Sequence, residues 1–231
     1  MASVSYLEHS GFAVRTPEHL LVFDYLGRGL SAPPEGDAPA LFFVSHAHGD
    51  HYWPGVAALA QERRAPLVLG EDLPPSLPGV RLAPGEAATL GGAQVRAYGS
   101  TDQGVSFLVR SGGLRVFHAG DLNLWHWQEE STEEVVAQAE AAFEAALDPL
   151  EGQAIDLAFF PVDARLGAGH DRGALRFAGR LRPRILVPMH WWGDGRVARA
   201  FAGQPMPSSV RALALTQPGV WTPLDLSSSI S

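Results

Sequence analysis

Short apolar runs broken by glycine and proline dominate the first half of the chain. They predict strands near Ser3 to Leu7, Phe12 to Arg15 and Leu20 to Phe23. A Pro/Gly-rich stretch, Ser31 to Pro39, reads as a loop leading into an apolar, buried strand, Ala40 to Ser45. Pro54 suits the first turn of a short helix reaching Glu62, because the N–H that proline lacks has no partner there anyway. Further strands are predicted at Pro66 to Leu69, Ala87 to Leu90, Ala93 to Tyr98, Val105 to Arg110 and Leu114 to His118, with Ser111-Gly112-Gly113 turning the last two into a hairpin. The period then changes. Val135, Val136, Ala139, Ala142, Phe143 and Ala146 make the apolar face of a helix from Thr132 to Leu147, with Ser131 and Glu134 as its capping box. Strands near Ile155 to Phe160 and Arg184 to Pro188 alternate with helices capped by Asp171 (through Leu181) and Asp194 (through Ala202). Strands first and strand–helix alternation afterwards imply an α/β (α+β) sandwich of two sheets rather than a doubly wound parallel sheet.

Composition narrows the class. A chain of 231 residues that is 46% hydrophobic can bury one sizeable core, so residues 1–231 are expected to form a single domain. No apolar run is long enough to span a bilayer and no cationic-then-apolar leader opens the chain, so a cytoplasmic protein without a membrane partner is expected. With no cysteine, disulfides and thiolate ligands are excluded, and any metal must be held by nitrogen and oxygen. The net charge is −8 and no basic run offsets it, which disfavours nucleic acid as a partner. Arg180, Arg182 and Arg184 cluster at a helix-to-strand turn and read as a solvated edge. A homo-oligomer is compatible with all of this.

The candidate chemistry is concentrated after the apolar strand, in Ser45-His46-Ala47-His48-Gly49-Asp50-His51. His46 and His48 are two residues apart, so in extended backbone their imidazoles project to one side. Asp50 and His51 offer an oxygen and a nitrogen to a neighbouring point. Imidazoles clustered with a carboxylate are what a divalent cation requires, with Zn²⁺ first and Mn²⁺ or Fe²⁺ as alternatives.

His-x-His-x-Asp-His after an apolar strand resembles the signature of the metallo-β-lactamase-fold hydrolases. Phe117-His118-Ala119-Gly120-Asp121 resembles that family's strand-then-Gly-Asp element, and Ile185 to His190 resembles its late strand ending in histidine. Tyr6 to Phe12 and Leu21 to Asp24 are similar to its N-terminal sheet, and the pattern is nearest the compact branch that includes sugar-phosphate lactonases. The resemblance implies an αββα sandwich with one or two metals at one edge. His46 and His48 would serve the first metal, Asp50, His51 and His190 the second, and Asp121 would bridge them. His9 and His118 would contact ligands rather than metal.

One family element is missing. A third histidine for the first metal is expected after the strand ending at Tyr98, where this chain has Gly99-Ser100-Thr101-Asp102-Gln103-Gly104. Asp102 can substitute as a donor, Thr101 or Ser100 more weakly. Otherwise His126 or His118 swings in, or only the second position binds. The implied reaction is attack by a metal-bound hydroxide on a small, anionic ester, lactone or phosphoester. Asp50 would orient the water or take its proton, and His126 would donate to the leaving group. Trp125, Trp127, Trp191 and Trp192 are candidate pocket walls, and Arg165, Arg172 and His170 candidate substrate contacts. The rival readings are a phosphodiesterase or nuclease of the same fold, and a degenerate metal-binding protein without turnover.

Overall fold

The computed structural model describes residues 2–127 and 131–226. Fourteen strands form two seven-stranded sheets among these residues. In chain order the strands are β1 (Ser3–Glu8), β2 (Gly11–Arg15), β3 (Leu20–Phe23), β4 (Ala40–Val44), β5 (Leu67–Gly70), β6 (Val80–Leu82), β7 (Ala87–Leu90), β8 (Ala93–Tyr98), β9 (Ser106–Ser111), β10 (Leu114–His118), β11 (Leu157–Pro161), β12 (Ile185–Met189), β13 (Arg211–Ala212) and β14 (Trp221–Pro223). The helices are α1 (Val56–Glu62), α2 (Glu133–Leu147), α3 (Arg172–Leu181) and α4 (Gly195–Ala202). The first sheet runs β14-β1-β2-β3-β4-β5-β6 and the second β13-β12-β11-β10-β9-β8-β7. Each is mixed: β3 to β6 are parallel in one, and β10 to β13 in the other. The two sheets pack face to face with helices outside, the αββα sandwich that the sequence implies.

The central parallel strands β3, β4, β5, β11 and β12 are buried on both faces, which is why they read as unbroken apolar runs instead of alternating ones. Phe159 of β11 points between the sheets and stacks on Phe12 of β2 at 4.1 Å, while its neighbour Phe160 points outward onto Phe177 of α3 at 4.5 Å. Phe43 meets Phe107 between the sheets at 5.6 Å, and Phe42 packs outward with Val56 and Ala60 of α1.

Several local expectations are corrected. Helix α2 is capped by Thr132, whose side chain accepts from the Val135 N–H, rather than by Ser131 with Glu134. Its apolar face is also narrower than expected: Val135 and Ala142 are exposed, and Phe143 and Leu147 are the buried side chains. His19 is a buried tie between the sheets' edges: its ring nitrogens meet Ser111 Oγ at 2.8 Å and the Gly91 carbonyl at 2.9 Å. Strands β6, β13 and β14 carry no sequence signal of their own, being two or three residues long and defined by the edges they cover. Arg180 is not a bare edge cation. It pairs with Glu144, Asp148 and Glu151 across the α2–α3 seam.

Candidate metal centre

Parallel strands end on the same side of their sheet, so whatever follows each is delivered to one rim. Here β3 is followed by Asp24, β4 by Ser45 to His51, β10 by the turn holding Asp121, β11 by the turn holding Asp163 and β12 by His190, and the β1–β2 turn adds His9. His9, Asp24 and His190 all have left-handed backbone (φ 50°, 42° and 62°). That conformation is costly for a residue with a Cβ and is found where the surroundings hold a side chain to a direction. Close packing does this around Ser45. A Cβ on Gly104 would lie 2.2 Å from the Ser45 carbonyl oxygen, and one on Gly120 2.7 Å from that of Val105.

Two groups of donors result. In the first, His46 Nε2, His48 Nδ1 and an oxygen of Asp121 converge, with His46 Nε2 3.1 Å from His48 Nδ1 and 3.3 Å from Asp121 Oδ2. In the second, His9, Asp50, His51 and His190 converge. Asp121 faces both groups. Its Oδ1 lies 3.0 Å from His51 Nε2 and 3.4 Å from His190 Nε2, while its Oδ2 faces His46.

The outer nitrogens are fixed from behind. His51 Nδ1 donates to Asp24 Oδ2 at 2.7 Å, and His190 Nδ1 donates to Asp163 Oδ2 at 2.9 Å. Ser45 Oγ donates to Asp24 Oδ2 at 2.7 Å, so His46 Nδ1, 2.9 Å from the same hydroxyl, is the donor of that pair. These bonds select the tautomers in which the Nε2 lone pairs of His46, His51 and His190 face the centre. His9 Nε2, His51 Nε2, His190 Nε2 and Asp121 Oδ1 are all buried without a hydrogen-bond partner. Buried polar atoms are nearly always satisfied. Four that are not, aimed at one another and backed by carboxylates, fit a bound divalent cation.

The protonation equilibria carry the same imprint. Burial opposes charge on His51, yet Asp121 and Asp24 raise its pKa to about 10. Burial likewise disfavours the Asp121 carboxylate, but His51, His46 and His190 hold it well below its usual range. His9, its Nε2 3.2 Å from Asp50 Oδ2, keeps Asp50 ionised, and burial pushes His9 itself down. The carboxylates at the rim are therefore anionic at neutral pH and attract positive charge, whether proton or metal.

The remaining candidates divide. His9 stands within the second group rather than behind it, its Nε2 3.2 Å from Asp50 Oδ2. His118 is held by other partners: its Nε2 donates to the Ser10 carbonyl at 2.8 Å, and its Nδ1 accepts from Gly120. It therefore abuts the turn before Asp121 without bonding to Asp121. Asp102 is exposed on the cavity wall and outside both groups, so the first has three donors and the second four besides Asp121. Thr101 is tied to Asn123, its hydroxyl donating to the Asn123 carbonyl and accepting from the Asn123 N–H. His126 does not line the cavity. It is buried beside Arg172, whose Nη1 lies 3.4 Å from its Nε2, so it is not placed to protonate a leaving group there. His170 bonds the Gly167 carbonyl three residues back and lines no part of that cavity, and Arg172 pairs with Glu140. Arg165 does line it, stacked 4.3 Å over Trp192 and bonded to Asp163.

Asp24, Asp163 and Ser45 were not among the sequence candidates. An aspartate ending a wholly apolar strand is the signal that would have found the first two. A cavity of about 430 Å³ opens onto the donors, walled by Thr101, Asp102, Trp125, Trp127, Arg165 and Trp192. A second, of about 730 Å³, lies across Trp192 and Asp50 from it and includes His9 and Trp191.

Two mixed sheets with imidazoles and carboxylates gathered at one rim define the metallo-β-lactamase class of αββα proteins. The model of the beta-lactamase superfamily domain matches residues 22–191, and the chain belongs to that family. A Thermococcus onnurineus protein named as a metal-dependent hydrolase is 26% identical over 209 residues, covering 83% of this chain and 85% of the relative. One of the same description from Symbiobacterium thermophilum is 25% identical over 238 residues, covering 95% and 96%. Among solved structures, Igni18, a metallo hydrolase from Ignicoccus hospitalis, superposes with a TM-score of 0.64 at 19% identity over 97% of this chain and 99% of its own, a likeness of fold.

Proposed function

We propose that this chain is a metal-dependent hydrolase of a small ester, lactone or phosphoester. In this reading His9, Asp50, His51 and His190 would hold one divalent cation, His46 and His48 a second, and Asp121, which faces both groups, would serve either. The observation that carries it is the convergence of four buried, unpartnered donor atoms, with Asp24 and Asp163 behind two of them. Zn²⁺ suits imidazoles mixed with carboxylates, with Mn²⁺ or Fe²⁺ as alternatives. Zn²⁺ held there would supply water acidified to a pKa of about 7 and would polarise the scissile carbonyl or phosphoryl group.

The chain's own groups do the rest. Asp24, Ser45 and Asp163 keep the imidazole lone pairs directed inward. Asp50 lines both cavities with its carboxylate ionised, so its oxygen not engaged by His9 can orient a water or accept its proton. The core shared by the two sheets supports treating residues 1–231 as one hydrolase domain.

Metal analysis of protein purified without added metal, followed by a hydrolase panel, tests the reading. Bound metal and turnover that Asp121→Ala abolishes are expected. Neither bound nor bindable metal, together with no turnover, would sink it. A degenerate metal-binding protein is the second reading, favoured by the three-donor first group. It predicts that Asp121→Ala lowers stability with no activity to lose. A nuclease or phosphodiesterase is disfavoured by the net charge of −8 and by the internal pairing of Arg180.

A further inference from the structure

Among the described residues the exposed large hydrophobic side chains are Trp127, Val135, Trp192 and Val220. Both aromatic ones, 46% and 50% exposed, line the cavity that opens onto the metal donors. Trp125 completes the wall. Its Nε1 donates to the Asp121 carbonyl at 2.7 Å, and its ring lies 5.6 Å from that of His190. Trp192 is pinned likewise, its Nε1 donating to Asp163 Oδ2 at 3.2 Å beneath the Arg165 guanidinium. Exposed aromatic surface bordered by polar groups marks a ligand groove. Indoles already fixed by hydrogen bonds lose little freedom when a ligand covers them.

The charges around this cavity are equally restrictive. Its carboxylates are Asp50, Asp102 and Asp121, and its one arginine is Arg165. Arg165 already gives Nε and Nη2 to Asp163, leaving only Nη1 outside that pair. One shared guanidinium facing three carboxylates is poor recognition for a group carrying two negative charges away from the metals, because such groups are normally held by several unshared donors.

We propose that the substrate carries a flat, aromatic group that packs on Trp125, Trp127 and Trp192, with at most one negative charge, received by Arg165. This rests on the hydrolase reading and specifies its substrate class. It turns the site away from sugar phosphates and toward aryl-bearing esters or lactones.

The test uses the full chain loaded with Zn²⁺ and three probes, phenylacetate, cyclohexylacetate and glucose 6-phosphate. Binding is followed by tryptophan fluorescence and checked by calorimetry. Phenylacetate is expected to bind about three- to tenfold more tightly than cyclohexylacetate, the scale of one aromatic contact beyond its buried area, and glucose 6-phosphate more weakly than either. Trp127→Ala should bring the phenyl-to-cyclohexyl ratio toward one, and Trp127→Phe should keep most of it. Circular dichroism and zinc content show that the variants are folded and loaded. A wild-type ratio near one, tightest binding of glucose 6-phosphate, or a ratio unchanged in Trp127→Ala would each overturn the proposal. So would a dimer that disappears in Trp127→Ala, since a second copy would then cover the indoles. Turnover of methyl phenylacetate and methyl cyclohexylacetate separates the two readings. Trp127-dependent ring binding without hydrolysis of any ester, lactone or phosphoester in the panel removes the hydrolase reading and keeps the aromatic site. Equal hydrolysis of both esters by wild type and Trp127→Ala keeps the hydrolase and removes the aromatic site.

Discussion

Asp163 accepts from His190 Nδ1, from Trp192 Nε1 and from the Arg165 side chain and backbone N–H, so one carboxylate fixes an imidazole of the donor cluster and two cavity walls together. Burial opposes its charge, but His190 and Arg165 hold its pKa well below the usual range. Asp24 plays the matching part for His51, with Ser45 as its second partner. Partners of this kind typically change metal affinity 10- to 100-fold. Asp163→Asn should therefore weaken metal binding by about that factor, as read by competition with a chromophoric chelator. Unchanged affinity would mean that His190 is oriented by packing alone.

At the scale of elements, the register of β10 against β11 is locked by a pair of the buried Asp156 with the half-buried Arg115. Asp156 Oδ2 accepts from the Arg115 backbone N–H at 3.0 Å and from its Nε at 2.8 Å, and Oδ1 accepts from Nη2 at 2.9 Å. Burial disfavours the Asp156 carboxylate, yet Arg115 outweighs it and lowers the pKa. A carboxylate whose folded pKa lies below its unfolded value near 4 stabilises the fold above that pH, and this contribution is lost as pH falls through the folded pKa. Asp156→Asn should cost about 1–3 kcal/mol at pH 7 in urea unfolding, because it weakens charge-assisted bonds at a buried site. The gap to wild type should close as pH drops below about 4. A gap independent of pH would show that shape, and not charge, sets the cost.

The same scale explains what could be read in advance. Helix α2 and the parallel strands were legible because burial on one face or two leaves a periodic or continuous apolar pattern. The cap of α2 was misplaced by one residue because Ser131 and Thr132 offer the same hydroxyl, and only packing of Phe143 and Leu147 chooses between them. Within the site, His46, His48, Asp50 and His51 were legible from local spacing. Asp24 and Asp163 were not, since each meets its histidine across 27 residues of chain.

For the whole molecule, the rim joins two sheets whose mutual contact is the Phe12–Phe159 layer and its neighbours. At that rim Asp121 Oδ1 and the Nε2 atoms of His9, His51 and His190 are buried facing one another without hydrogen-bond partners. A ligand that binds only the folded state stabilises it by about 2.7 kcal/mol at a hundredfold excess over Kd. Chelation should thus lower Tm by roughly 5–10 °C for a chain of this size, as measured by calorimetry before and after dialysis, and returning metal should restore it. A Tm indifferent to both would argue against a site that exists only in the folded chain.

The sequence by itself determined the two kinds of periodicity, and hence the longer strands and the helices of a two-sheet α/β sandwich, whose αββα layering followed from the family resemblance. It also determined the donor cluster after β4, with Asp121 and His190 following from the family resemblance. Tertiary structure alone decided that His9 joins the second donor group, that Asp24 and Asp163 orient the imidazoles, and that His126 turns away to Arg172. The reason is physical. Spacing along a strand fixes which neighbours share a face, whereas the meeting of six strand ends and turns at one rim depends on sheet order. It also depends on three left-handed residues whose directions no local pattern encodes.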